Sequence, residues 1–192
     1  MSDHDQVVEW RPTASDTVVW SVVGLILIVL GLPLFALPSI LRASSAGLSI
    51  RIGLGEILLV VVVTAVLLVA HEGIHGLVML LFGARPRFGA TLVGGSMPAL
   101  YATSENHRFS RGQYLIIAGG PAVVISALGF WACFGPWIGY LVLPLAIHLG
   151  GCVGDAFAFL RVLREPAGTK CEDLRDGIRF YRPTVSIQTT RR

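Results

Sequence analysis

Three side chains able to do chemistry sit in the stretch "LLVAHEGIHGLVML", Leu67 to Leu80, inside a run that is otherwise hydrocarbon. His71 and His75 are four residues apart, so a helix projects both imidazoles from one face, one turn apart. Two imidazoles so placed can hold one divalent ion. Glu72, beside the first, can reach a water on that ion as a general base. The pattern suits Zn2+. The rival reading is a structural cluster in which the polar groups satisfy one another. In an apolar span, where each unpartnered polar group costs on the order of a few kcal/mol, either reading demands a partner or a wet cavity.

A third ligand is expected from the last apolar run, "LPLAIHLGGCVGDAFAFLRVL", Leu143 to Leu163, where Asp155 is the one acidic residue. His75 lies ten residues before Arg85 and Asp155 nine before Arg164. At about 1.5 Å per residue, both fall about 14–15 Å from basic residues that should mark the membrane surface. His71, His75 and Asp155 are therefore expected around one tetrahedral ion, with the fourth position open. His148, two turns earlier on the face of Asp155, is the alternative third ligand, or a group that supports a ligand or an oxyanion. Both residues could serve if the helix unwinds at Gly150 and Gly151. The cysteines Cys133, Cys152 and Cys171 are odd in number and lack a CxxC pair, so they read as packing residues; Cys152 stands out only for its neighbours.

The elements that must position these residues are membrane helices. The 192 residues are 54% hydrophobic and 14% charged, with mean hydropathy +0.71, too apolar for the polar skin of a soluble domain. Uncharged or nearly uncharged runs cover Val18–Leu41, Ile57–Phe82, about Tyr114–Phe134 and Trp137–Leu160. Each is long enough to cross a hydrocarbon layer of about 30 Å. The expectation is an all-α integral membrane protein, a bundle of about four transmembrane helices. A short interfacial β-hairpin-like loop should join helices two and three. Residues 1–16 form an N-terminal segment, 17–164 the transmembrane domain and 165–192 a tail. The first run is longer than a signal-peptide core and follows four acidic residues (Asp3, Asp5, Glu9, Asp16), so it should stay as an anchor.

Thirteen of the fifteen Lys and Arg residues fall on one side of such a bundle; Arg42 and Arg51 are the exceptions. Both termini should therefore be cytoplasmic, in a multi-pass protein of a prokaryotic plasma membrane. The basic balance reports topology, and no folded basic face with stacking aromatics points to nucleic acid. The partners expected are the lipid bilayer and a membrane-protein or peptide substrate.

Between the second and third runs, Phe88, Ala90 and Leu92, then Met97, Ala99 and Tyr101, alternate around Gly94-Gly95. This reads as a hairpin whose free edge could hold an extended substrate, or as a plain amphipathic cover for the helix ends. His107 is expected at the interface, in solvent, and Asn106 could offer its amide to a substrate. Ser110 and Gln113 should form a capping box for the third helix, and Pro121 should kink it. In the tail, "CEDLRDGIRFY" reads as one short amphipathic helix with Asp173 and Asp176 in solvent.

At His71, Glu72 and His75, within a transmembrane run, the chain resembles the site-two protease class of intramembrane zinc metallopeptidases. It resembles more closely the short membrane families named as zincin peptidases, over roughly Leu54 to Gly177. The resemblance implies an aspartate ligand from a later helix and a hairpin after the HExxH helix that holds substrate. It departs from the site-two pattern at Gly154-Asp155, where that pattern has the aspartate first. It departs again at Val124, where an asparagine follows the Gly-Pro seen here as Gly120-Pro121. The reaction implied is peptide-bond hydrolysis in a membrane-embedded or juxtamembrane substrate, by zinc-activated water with Glu72 as general base. The alternatives are a non-catalytic membrane protein with a structural or sensory zinc site, and a metal transporter.

Overall fold

A computed structural model of the protein describes residues 6–42, 53–95 and 97–183. Arg51, Asp3 and Asp5, which entered the topology and anchor arguments, lie outside the described residues, as do the tail's residues 184–192. The described residues open with a strand, β1 (Gln6–Trp10), followed by the helices α1 (Ala14–Arg42) and α2 (Leu54–Leu81). Strands β2 (Arg87–Val93), β3 (Met97–Thr103) and the two-residue β4 (Phe109–Ser110) lead into α3 (Arg111–Ala132). A further span follows, made of α4 (Ile138–Gly151) and α5 (Val153–Leu163), and then β5 (Lys170–Leu174) and β6 (Gly177–Arg182). Four spans, α1, α2, α3 and α4–α5, are long and apolar enough to cross a membrane. Their outer faces present Val18, Leu25, Leu58, Val69, Val123 and Leu128, surface that belongs in lipid.

The protein is not all-α. Among the described residues, six strands form two antiparallel sheets, one ordered β1-β6-β5-β4 and one the hairpin β2-β3. The expected amphipathic helix over Cys171–Tyr181 is instead the hairpin β5-β6. Its inward residues recur at the strand period: Ile178 and Phe180 are buried with Arg179 between them, and Arg175-Asp176 make the tight connection before Gly177. The N-terminal segment also contributes a strand, with β1 pairing β6 from Gln6↔Arg182 to Trp10↔Ile178. β1 precedes the first span, β4 lies between the second and third, and β5-β6 follow the last. One sheet thus ties three distant chain segments to the same end of the bundle.

That end has its own core. Met79 of α2, Ile117 of α3 and Val162 of α5 pack with Phe109, Cys171 and Phe180 from the sheet. A second cluster, Phe35, Ile125, Cys133, Leu145 and Ala146, is drawn from the helices alone. The rim of the sheet is ionic. Arg179 bridges Glu9 at 2.7 Å and Glu172 at 3.0 Å, Arg182 pairs with Glu165 at 2.6 Å, and Arg11 with Asp176 at 2.5 Å. Hydrogen bonds from Arg179 hold the Glu9 carboxyl below its ordinary range. Burial would raise Glu172, but the Tyr181 hydroxyl, the Asn106 amide and Arg179 together bring it below the ordinary value.

Two local features set the position of the last span. Gly24 of α1 and Gly150 of α4 meet backbone to backbone: a Cβ on Gly150 would lie 2.7 Å from the Gly24 carbonyl oxygen and 2.5 Å from Ile28. One residue beyond Gly150 and Gly151, where unwinding would let both His148 and Asp155 serve, the helix is interrupted at Cys152. The Cys152 amide is shared between the carbonyls of His148 and Leu149, at 3.1 and 3.3 Å. α5 starts there and carries Asp155 in its first turn.

Candidate metal centre

His71 and His75 are buried on one face of α2, with their Nε2 atoms 3.1 Å apart. From the start of α5, Asp155 presents Oδ2 to His71 Nε2 at 3.0 Å and Oδ1 to His75 Nε2 at 3.3 Å. Tetrahedral ligands about 2.0–2.2 Å from one zinc stand about 3.3–3.5 Å apart, so the three donors need move only a few tenths of an ångström to share an ion. The other face of each ring is fixed as well. His75 Nδ1 lies 2.9 Å from the Ile117 carbonyl oxygen, which can only accept. Nδ1 therefore carries the proton, and Nε2 turns its lone pair to the centre. The donor set and its ring tautomer both fit zinc.

His148 is placed differently from Asp155. It sits across the His71 ring, its Nε2 3.0 Å from His71 Nδ1, and is fully buried. The Cys152 sulfur joins it there, 3.7 Å from His148 Nε2 and 3.9 Å from His71 Nδ1. The two candidates for a third ligand therefore address opposite nitrogens of one imidazole.

Glu72 is half-buried against the backbone of Ala102 in β3 and lies where two cavities meet. The smaller, about 220 Å³, lies towards the four-stranded sheet and is bordered by Asp155, Tyr114 and Asp173. The larger, about 780 Å³, is mostly apolar and runs between α1, α2, α4 and β3, reaching His71 and His148.

Tyr114 and Asp173 were not anticipated here. The Tyr114 hydroxyl donates to Asp173 Oδ1 at 2.5 Å. Loss of hydration pushes the Asp173 carboxyl up to about 7, against the opposing pull of the Tyr114 and Thr103 hydroxyls. Asp173 is thus not the solvated tail residue expected, because the hairpin folds it over the bundle; Asp176 is tied to Arg11. The Asp176-Gly177 step before alternating apolar residues was the available signal. Asn106 and His107 stand apart from the centre. The Asn106 amide donates to Glu172 at 2.7 Å, and the His107 ring packs on Phe109. The expected Ser110–Gln113 capping box starts α3.

A family model described as "Putative zincin peptidase" matches residues 64–170, which include His71, Glu72, His75, His148 and Asp155. The chain belongs to that family. Zincins are zinc peptidases, so the family supplies the coarse activity, a zinc metallopeptidase, and the metal. No curated protein and no solved structure matches the chain.

Proposed function

We propose that this member of the zincin-peptidase family is an intramembrane zinc metallopeptidase. The observation that carries the reading is the convergence of His71, His75 and Asp155 beside Glu72, where an apolar cavity between membrane helices meets a smaller one bordered by Tyr114 and Asp173. Bound zinc supplies Lewis-acid activation of water and of the scissile carbonyl. Asp155 offers the charge that balances the metal, and the Ile117 carbonyl holds His75 in the ligating tautomer. Glu72 takes a proton from the attacking water and returns it to the leaving amine. One edge of β3 pairs with β2, and its other edge passes Glu72. An extended substrate segment added along that edge would bring its carbonyl to the centre. The substrate is a membrane-embedded or juxtamembrane segment, reached from the end of the bundle that carries the sheets. The excess of basic residues on that side supports a cytoplasmic position for it.

The test uses the full chain in liposomes with single-span peptides, reading cut sites by mass spectrometry and metal by elemental analysis. Wild type should hold zinc and cut. Glu72→Gln should keep its zinc and lose turnover by about 10²–10⁴-fold. A zinc-loaded wild type whose peptides survive as they do with E72Q would reject the enzyme in favour of a structural or sensory site. Zinc flux into the vesicles that ignores E72Q would reject it in favour of a transporter.

A further inference from the structure

We propose that His148 and Cys152, with the Nδ1 nitrogen of His71, form a second metal position that takes a soft ion of the Zn2+ or Cd2+ type and excludes an ion from the first. The donors lie together: His71 Nδ1 and His148 Nε2 are 3.0 Å apart, and the Cys152 sulfur is 3.9 and 3.7 Å from them. With metal–nitrogen bonds of about 2.05 Å and metal–sulfur bonds of about 2.3 Å, a tetrahedral site needs separations of about 3.3 and 3.6 Å. The cluster is within a few tenths of an ångström of that. His148 and Cys152 are four residues apart at the end of α4, 1% and 5% exposed. Two imidazoles and a thiolate are a donor set for soft ions, where the first site pairs its imidazoles with a carboxylate. The apolar cavity reaches His148 and supplies a way in.

Exclusion follows from the His71 ring. A neutral imidazole has one lone pair, so His71 cannot ligate through both nitrogens without giving up its remaining ring proton. When Nε2 ligates at the first site, Nδ1 carries the proton and donates it to His148 Nε2. When Nδ1 ligates at the second, the proton must sit on Nε2, where Asp155 Oδ2 at 3.0 Å accepts it. Each tautomer has a hydrogen-bond partner waiting, and each disables one site. Cys152 gives its thiol proton to solvent as the second site fills. A soft ion there removes a ligand from the first centre without touching Glu72.

The inference rests on the proposed first centre only for the exclusion. The test takes metal-free full chain in detergent, titrates it with Cd2+ and follows the ultraviolet charge-transfer band of a cadmium–thiolate bond. Wild type should show the band, Cys152→Ser should lose it, and His148→Gln should weaken cadmium binding at least tenfold. Adding Cd2+ to zinc-loaded protein should release one zinc per thiolate bond formed. No band in wild type, or a band in C152S supplied by Cys133 or Cys171, overturns the proposal. So does a chain that holds zinc and the cadmium–thiolate bond together. Should C152S not fold, unchanged cadmium affinity in H148Q overturns it alone. In His75→Ala the band should persist, and zinc should be lost once Cys152→Ser is added; zinc retained in that double variant would fail the first-centre reading without touching the second site.

Discussion

The four-stranded sheet and the β2-β3 hairpin border the same cavity beside Glu72, and they are held by different means. The larger sheet buries Phe109 and Phe180 completely and carries Arg11, Arg179 and Arg182 in ion pairs along its rim. The hairpin leaves Phe88, Leu92 and Leu100 largely exposed and is anchored at a few close approaches. At one of these the Phe88 ring occupies the space a Cβ on Gly76 would need; at another the turn at Gly94, with φ +59°, rests on Thr13 and Thr17. A two-stranded ribbon is marginal alone and depends on such supports. The difference separates a clamp, which closes the end of the bundle, from a platform, which leaves apolar side chains and a strand edge for something else to cover.

The largest effect should come from the clamp. Phe180→Ala removes a fully buried ring between sheet and helices and should cost about 3–5 kcal/mol. Thermal unfolding in detergent measures it. A loss under about 1 kcal/mol would show that the helices hold this end unaided. The platform should respond in the opposite sense. Leu100, 47% exposed and bordering both cavities, should tolerate Ala within about 0.5 kcal/mol. Turnover of a membrane peptide should meanwhile fall about tenfold. If L100A unfolds as readily as F180A, the two sheets do not differ as described.

The smallest effect sharpens the clamp's link to the centre. The Asp173 carboxyl is raised by burial from 3.8 to about 7, so the folded chain prefers it protonated. Its contribution to stability is present below about 3.8 and is lost as pH rises through about 7. Asp173→Asn cannot ionise and keeps an acceptor for the Tyr114 hydroxyl. It should therefore flatten the stability curve between pH 4 and 7 and gain on wild type at pH 8. Parallel curves of melting temperature against pH would place Asp173 in solvent.

Sequence reasoning reached the spans and the three convergent residues by different routes. Spans are written locally, as apolar runs longer than the bilayer is thick, and the ends of the four expected runs each fall within four residues of a span's ends. His71 and His75 follow from helical spacing, and Asp155 from being alone among hydrocarbon. The sheet was hidden because its partners are remote: Glu9 and Arg179, joined at 2.8 Å, are 170 residues apart. In a chain dominated by helices, a short polar tail with apolar residues also fits a helical face until its partner strand is known. The side of His71 that meets His148 depends on the break at Cys152, one residue past the glycine pair. Spacing alone does not fix that rotation.

Pairing of β1 with β6 has a consequence for the order in which the molecule assembles. Before β6 has found its partners, the spans can pack and the imidazoles and Asp155 can already meet. β1 then has no neighbour, and Asp173 has not been laid over Tyr114. The wall that closes the cavity beside Glu72 on that side arrives with β6, so a copy lacking this strand would leave His71, His75 and Asp155 uncovered.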